Sequence, residues 1–133
     1  MTESHATGPF EVKLNLEPPS GAAERAGLGR MSLDKQFHGP LEAASQGEML
    51  AFRSAVEGSA GYVAMETVRG SLHGRSGSFV LQHSSVMTRG TPAQSISVVP
   101  DSGTAELAGL AGRMTISIVD GQHFYHFDYT LVS

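Results

Sequence analysis

Two stretches of the sequence alternate in polarity and place an ionisable residue in a mostly apolar row. The first, YVAMETVRGSLH at residues 62–73, includes Glu66; the second, SFVLQHSSVMTR at residues 78–89, includes His83 and ends at Arg89. Alternation with a period of two is typical of β-strands, where alternate side chains share one face. The two rows are Tyr62, Ala64, Glu66 and Val68, and Phe79, Leu81, His83, Ser85, Met87 and Arg89.

Glu66 and His83 are the candidate catalytic residues. If both rows face the protein interior on paired strands, the two side chains lie near each other. A carboxyl group in an apolar cavity has a raised pKa and can act as an acid or base near neutrality, while an imidazole can relay the proton. Alternatively, the two residues satisfy each other's hydrogen bonds in the core, or they face solvent near Lys35 and Arg69. The sequence leaves these interpretations open.

Five residues are candidates for binding a ligand. Arg89, at a strand end, could hold a carboxylate or carbonyl group, although it could equally be an exposed charge. Met87 could adapt to an apolar ligand, although methionine more often fills core. The five candidates are Phe37, Tyr62, Met87, Arg89 and Tyr125.

The sequence offers little for metal or nucleophilic chemistry. It has no cysteine, and its six histidines form no H-x-H or H-E-x-x-H pattern. His123 and His126 are three residues apart, which places them on opposite faces of a strand. Different strands could still bring Glu66, His83 and His126 together, but we predict neither a metal nor a cofactor. No G-x-S-x-G elbow or phosphate-binding loop is present.

The elements around these residues have the pattern of an all-β chain. The 133 residues include 16 glycines, and long amphipathic helical stretches are nearly absent. We predict about eight strands, with one hairpin turn at Asp120-Gly121 and another within GRSG at residues 74–77. A twisted sheet of consecutive antiparallel strands tends to close on itself, which predicts a small antiparallel β-barrel. A two-sheet sandwich is the alternative, because periodicity does not distinguish closure from stacking.

We expect the chain to form a single domain. We expect a flexible leader over residues 1–6 and one barrel domain over 7–133. EPPSGAAERAG at 17–27 reads as a loop, TAELAGL at 104–110 as one helical turn, and Gly47 as a bulge or bend in a curved strand.

Composition and charge argue against some classes of binding partner. The formal charge of −4 and the scattered basic residues argue against nucleic acid and against an anionic membrane surface. There is no apolar run long enough to span a bilayer, and the first ten residues lack the features of a signal peptide. We expect a cytoplasmic protein. Because the aromatic residues of the last strand occupy both faces, we also expect a homodimer or higher homo-oligomer. These residues are Phe124, Tyr125, Phe127 and Tyr129.

Four segments carry a resemblance to a known family. They are LGRMSLDKQFHGPLEAASQGEML, GSAGYVAMETVRGSLHGRSGSFVLQHSSVMTRG, VVPDSGTAELAGLAGRM and FDYTL. In this order they resemble a family of small bacterial proteins, domain-of-unknown-function family 3224, over nearly all of residues 7–131. The resemblance implies a fold like that of allene oxide cyclase, a short antiparallel barrel with an internal cavity. Allene oxide cyclase itself works without metal or organic cofactor. The resemblance implies no particular reaction.

Three functions follow as hypotheses. The barrel binds a small apolar or amphipathic molecule, which is the hypothesis we favour. Alternatively, it is a cofactor-free isomerase or cyclase in which Glu66 or His83 moves a proton. In the third, the interior is fully packed and the protein acts through an interface.

Overall fold

The computed structural model describes residues 3–131 and forms a closed antiparallel barrel of eight strands in sequential order. This confirms the predicted all-β barrel over the alternative sandwich. The strands are β1 (Ser4–Glu17), β2 (Gly29–Phe37), β3 (Leu41–Arg53), β4 (Ala60–Leu72), β5 (Arg75–Thr88), β6 (Thr91–Val98), β7 (Ala111–Val119) and β8 (Gln122–Thr130).

Three of the strand connections are tight turns of two residues, each with positive φ at both positions. These angles suit the type I′ turns whose twist matches the flanking strands. Asp120-Gly121 is one of them, as predicted. The β4–β5 turn is His73-Gly74, so the prediction that placed it within residues 74–77 was shifted along the chain. The third turn is Arg89-Gly90.

Two short helices interrupt the strands. The 3-10 helix Ala105–Leu107 lies within the predicted helical turn. The stretch predicted as a loop instead contains a helix, α1 (Gly21–Arg25), because the Ser20 hydroxyl accepts a hydrogen bond from the Ala23 amide and caps its first turn. Neither helix, and no other helical segment within residues 3–131, is long and apolar enough to cross a membrane.

The predicted leader is partly strand. β1 begins at Ser4 and pairs with β8 from Ser4↔Tyr129 onwards, and the Ala6 side chain is buried. Residues 4–6 therefore belong to the barrel wall, because their backbone groups complete the β1–β8 ladder. Residues 1 and 2 of the predicted leader lie outside the described part of the chain.

One end of the barrel is filled with apolar side chains. The rings of Phe79 and Phe127 stack at 5.8 Å between centroids, and Leu107 of the 3-10 helix is buried against this core. The Tyr125 hydroxyl donates to the His38 carbonyl and accepts from the Leu41 amide, so its polar end is satisfied as well. The buried side chains of this half form one continuous apolar core.

At the opposite end, the barrel wall is shorter on one side. Pairing of β1 with β8 stops at Phe10↔His123, so residues 11–17 of β1 pair only with β2. β6 pairs with β7 at only two positions, Ile96↔Met114 and Ser97↔Arg113. The interior of this half is therefore reached from the end and from the side above the β7–β8 hairpin.

Candidate functional site: a half-hollow interior with a buried polar cluster

The open half of the barrel contains a cavity of about 230 Å³ that is partly open to solvent. Leu14 and Ile118 are half or more exposed and mark its mouth. The apolar wall consists of Val12, Leu14, Leu33, Met49, Ile116 and Ile118. The polar side chains that line it are Lys35, Tyr62, His83, Gln94 and His123, and Phe10 completes the lining.

A buried ion pair lies at the boundary between the packed half and the cavity. The Lys35 ammonium donates to Glu66 Oε1 over 2.8 Å, and the Ser45 hydroxyl donates to Glu66 Oε2 over 2.5 Å. The side chains of Lys35 and Glu66 are 5% and 0% exposed. Each oxygen of Glu66 therefore has a protein donor, as a buried carboxylate requires.

A missing side chain makes room for this pair. Gly47 lies opposite Glu66 on β4 and opposite Leu33 on β2. A Cβ atom at Gly47 would lie 2.1 Å from the Met65 carbonyl oxygen and 2.8 Å from Glu66 Cα. The strand continues through Gly47 in register, so the predicted bend appears as a close approach of β3 and β4.

The Lys35 ammonium also lies against aromatic rings. Its Nζ is 5.6 Å from the ring centroid of Phe10 and 5.9 Å from that of Phe37, within the range of cation–π attraction. Glu66 receives one of the three ammonium hydrogens. Lys35 also lines the cavity, and we call the part of the cavity beside it the floor. Two ammonium hydrogens remain besides the one given to Glu66.

A second polar pair lies on the cavity wall. The Tyr62 hydroxyl and His83 Nε2 are hydrogen-bonded at 2.7 Å, with the rings edge to face. Burial lowers the pKa of His83 to about 4, and the positive charge of Lys35 acts in the same direction against the opposing effect of Glu66. Burial raises the pKa of Tyr62, against a hydrogen bond from Gln94. Near neutral pH both partners are therefore uncharged.

The structure places Glu66 and His83 in the interior, but does not join them. The first row and the second row as far as Ser85 face inward, and Glu66 and His83 are 1% and 5% exposed. In the β4–β5 register, however, Glu66 lies opposite Leu81 and His83 lies opposite Ala64. Glu66 bonds to Lys35 and Ser45, whereas His83 bonds to Tyr62, so the two form separate pairs.

Among the ligand-binding candidates, only Tyr62 lines the cavity. Phe37 and Tyr125 are fully buried in the packed interior. Met87 is 41% exposed near the end of β5, and Arg89 is an exposed residue of the β5–β6 turn. The structure therefore separates these four from the hollow interior: two lie too deep, and two lie where β5 leaves the barrel.

His126 does not join the interior residues. It is exposed on the outer face of β8, where its Nε2 is hydrogen-bonded to the Ser117 hydroxyl at 2.9 Å. The set of Glu66, His83 and His126 is therefore not assembled. Within residues 3–131, no three histidine, aspartate or glutamate side chains are grouped closely enough to hold a metal ion.

Sequence reasoning missed Lys35 and Ser45 as interior residues. The signal was present, because Lys35 has the same strand parity as Leu33 and Phe37, both of which are buried. Its charge favoured a surface assignment, since lysine is seldom buried without a partner. The partner, Glu66, comes from a strand that is not adjacent.

The aromatic residues of β8 do not crowd both faces. Tyr125, Phe127 and Tyr129 are buried, and only Phe124 has the opposite parity. The argument for an oligomer from this strand therefore fails, and the homodimer itself stays a prediction. The outer face of β3, β4 and β5 instead carries exposed apolar side chains, namely Leu50, Phe52, Val63, Met65 and Val86.

The fold and interior define a class: a small antiparallel barrel with one packed half and one hollow half. The family model described as "Protein of unknown function (DUF3224)" matches residues 6–129, and the chain belongs to this family. A crystal structure of a DUF3224 family protein of unknown function from Shewanella oneidensis MR-1 is 53% identical in sequence. The similarity covers 99% of this chain and 100% of that one, with a TM-score of 0.91.

These comparisons confirm the family resemblance seen in the sequence. No curated protein matches the chain. The residues of the interior therefore provide the argument for function.

Proposed function

We propose that this barrel binds one small amphipathic molecule in its hollow half. The observation that carries the proposal is the contrast between the two halves of one interior: apolar side chains fill one, while the other keeps a cavity of about 230 Å³. Lys35, Tyr62 and His83 converge on that cavity from three strands. An apolar pocket with a few convergent polar groups is the usual form of a small-molecule site.

The size of the cavity limits the ligand. Sites for drug-sized molecules have volumes of roughly 300–1,000 Å³, and this cavity has about 230 Å³. A molecule held entirely inside is therefore small. Exposed Leu14 and Ile118 at the mouth would contact the outer part of a slightly longer molecule. A long-chain lipid does not fit within the walls.

Titration with 2-hexanol, followed by amide ¹H–¹⁵N chemical shifts, tests this proposal. We expect the largest shifts in β1, β2 and β7, which contribute most of the cavity lining, and little change at the packed end. Ile116→Phe should abolish the shifts, because the larger ring fills the cavity that Ile116 lines. Thr115→Phe is the matched control, since Thr115 is exposed on the same strand.

Two results would overturn the proposal: no saturable shift with either 2-hexanol or 2-hexanone, or equal binding by wild type and Ile116→Phe. Native mass spectrometry of protein purified from its own host provides a second readout. We expect a retained small molecule in wild type that is absent from Ile116→Phe and present in Thr115→Phe.

A cofactor-free isomerase is the second candidate, and the Tyr62–His83 pair favours it. An uncharged imidazole hydrogen-bonded to a phenol on a cavity wall can accept or relay a proton. Glu66 is less suited to this role, because both of its oxygens already accept hydrogen bonds from Lys35 and Ser45 and Glu66 does not line the cavity.

Proton exchange distinguishes the two candidates. In deuterium oxide, an isomerase of this kind would accelerate loss of the α-protons of 2-hexanone in wild type and not in His83→Gln. Glutamine preserves a hydrogen-bonding partner for Tyr62, which makes it the conservative replacement. If wild type and His83→Gln exchange at the uncatalysed rate while still binding, the isomerase is excluded and the binding function stands.

A further inference from the structure

The hydrogen-bond donors beside Lys35 indicate which polar group the ligand carries. This inference rests on the proposed function. We propose that the cavity selects a neutral carbonyl group, as in a ketone or aldehyde, over a carboxylate or an alcohol of the same size. The carbonyl oxygen accepts a hydrogen bond from Lys35 at the cavity floor, and the apolar chain lies against Val12, Leu14 and Ile116.

The cavity floor offers free donors, while the acceptors nearest to Lys35 already have hydrogen-bond partners. Lys35 gives one ammonium hydrogen to Glu66, and Lys35 is part of the cavity lining. Both oxygens of Glu66 already accept from Lys35 and Ser45, and Nε2 of His83 is already bonded to Tyr62. A carbonyl oxygen only accepts, so it completes this arrangement. The proton of an alcohol would have to share an oxygen of Glu66 with Lys35 or Ser45, or reach Gln94 on the wall, so an alcohol gains less from this floor than a carbonyl group does.

The charges at the floor are already balanced. Lys35 and Glu66 form a neutral pair, and the burial that lowers the pKa of His83 keeps that imidazole uncharged near neutrality. A carboxylate ligand would therefore add an uncompensated negative charge close to Glu66. Desolvating such a charge is strongly unfavourable without a second cation. The remaining polar lining residues are Tyr62, Gln94 and His123, of which Tyr62 and Gln94 are uncharged.

A matched series of ligands tests the inference: 2-hexanone, 2-hexanol and hexanoate at neutral pH, titrated by amide chemical shifts. We expect 2-hexanone to bind at least tenfold more tightly than 2-hexanol, and hexanoate to bind most weakly. The double variant Lys35→Met/Glu66→Leu keeps the interior neutral. In this variant the ketone and the alcohol should bind with about equal affinity.

A second readout does not depend on that variant folding. For 2-hexanone labelled with ¹³C at the carbonyl, the bound resonance in wild type should move downfield of its position in water, as expected beside an ammonium donor. An upfield shift, as in an apolar solvent, would contradict the contact with Lys35.

The outcomes separate this inference from the proposed function. If hexanoate or 2-hexanol binds more tightly than 2-hexanone, the assignment of a carbonyl is wrong while the cavity remains a binding site. The same holds if the ketone preference survives in the double variant. If none of the three ligands shifts the strands around the cavity, the proposed function fails with it.

Discussion

Lys35 and Glu66 form an ion pair of 2.8 Å although their strands, β2 and β4, are not neighbours. β3 lies between them and contributes Ser45 to the pair and Gly47 to the gap that the side chains cross. One polar cluster therefore links the side chains of three consecutive strands. This cluster separates the packed half of the barrel from the hollow half.

Glu66→Gln should destabilise the barrel by about 3–5 kcal/mol, because it leaves the buried Lys35 ammonium without its counter-ion. Urea unfolding followed by circular dichroism measures this change in the free energy of unfolding. The control is Lys35→Met/Glu66→Leu, which removes both charges and should recover most of the loss. A double variant as unstable as Glu66→Gln would show that packing, rather than the unpaired charge, explains the effect.

Gly47→Ala should destabilise the protein by about 3 kcal/mol, since the new methyl group would meet the backbone of β4. Its carbon would lie 2.1 Å from a carbonyl oxygen that cannot rotate away. Gly29→Ala is the matched control in β2, where the nearest atom would be 3.9 Å away. We expect Gly29→Ala to change the free energy of unfolding by less than about 1 kcal/mol. Equal effects in urea unfolding would contradict the close approach.

The sequence predicted the barrel because its signals are local. Alternation of polarity predicted the strands, and the Asp120-Gly121 dipeptide predicted a turn. In the structure both residues have the positive φ angles that such a turn requires. The helix at Gly21–Arg25 was missed because five residues are too few to show a helical period, and only the cap at Ser20 marks it.

The interior was harder to predict than the wall. The alternation of side chains correctly predicted that Glu66 and His83 point inward. Their partners, however, depend on the register between strands, which periodicity does not specify. Register places His83 opposite Ala64 and leaves Glu66 to Lys35, a residue 31 positions earlier. Arg89 illustrates the same limit: it continues the His83 row in sequence, yet the chain has already turned at that residue.

The pKa of His83 predicts a loss of stability in mild acid. Between its folded pKa of about 4 and the ordinary value of 6.5, the unfolded chain binds a proton that the native state does not. The free energy of unfolding should therefore fall as the pH drops from 6.5 towards 4, by about 3 kcal/mol in total from this residue.

Urea unfolding of wild type and His83→Gln at several pH values in this range tests the effect. The variant should lose less stability on acidification, so the difference between the two proteins should shrink or reverse as pH falls. Carboxylates that titrate in both proteins cancel in the comparison. Parallel profiles would show that His83 is not held uncharged.

His38 predicts the opposite dependence at the β2–β3 turn. Its Nε2 is 2.8 Å from Glu11 Oε1 on β1, and its Nδ1 is 3.4 Å from Glu42 Oε2 on β3. The hydrogen bond to Glu11 raises the pKa of His38, with further contributions from the charges of both carboxylates. The native state then binds more protons than the unfolded chain, so this stabilisation is complete below the ordinary pKa and is lost as pH rises through the folded value.

His38→Gln should therefore reduce the unfolding midpoint in urea more at about pH 6 than at about pH 8.5. His126→Gln is the control, because that exposed histidine is bonded to the Ser117 hydroxyl rather than to a carboxylate. High salt should narrow the gap between the two pH values, since His38 and its partners lie at the surface, where ions screen their attraction. An equal loss at both pH values would mean that His38 acts through its neutral hydrogen bonds alone, and the charge on its imidazole would then contribute nothing to the β1–β2–β3 corner.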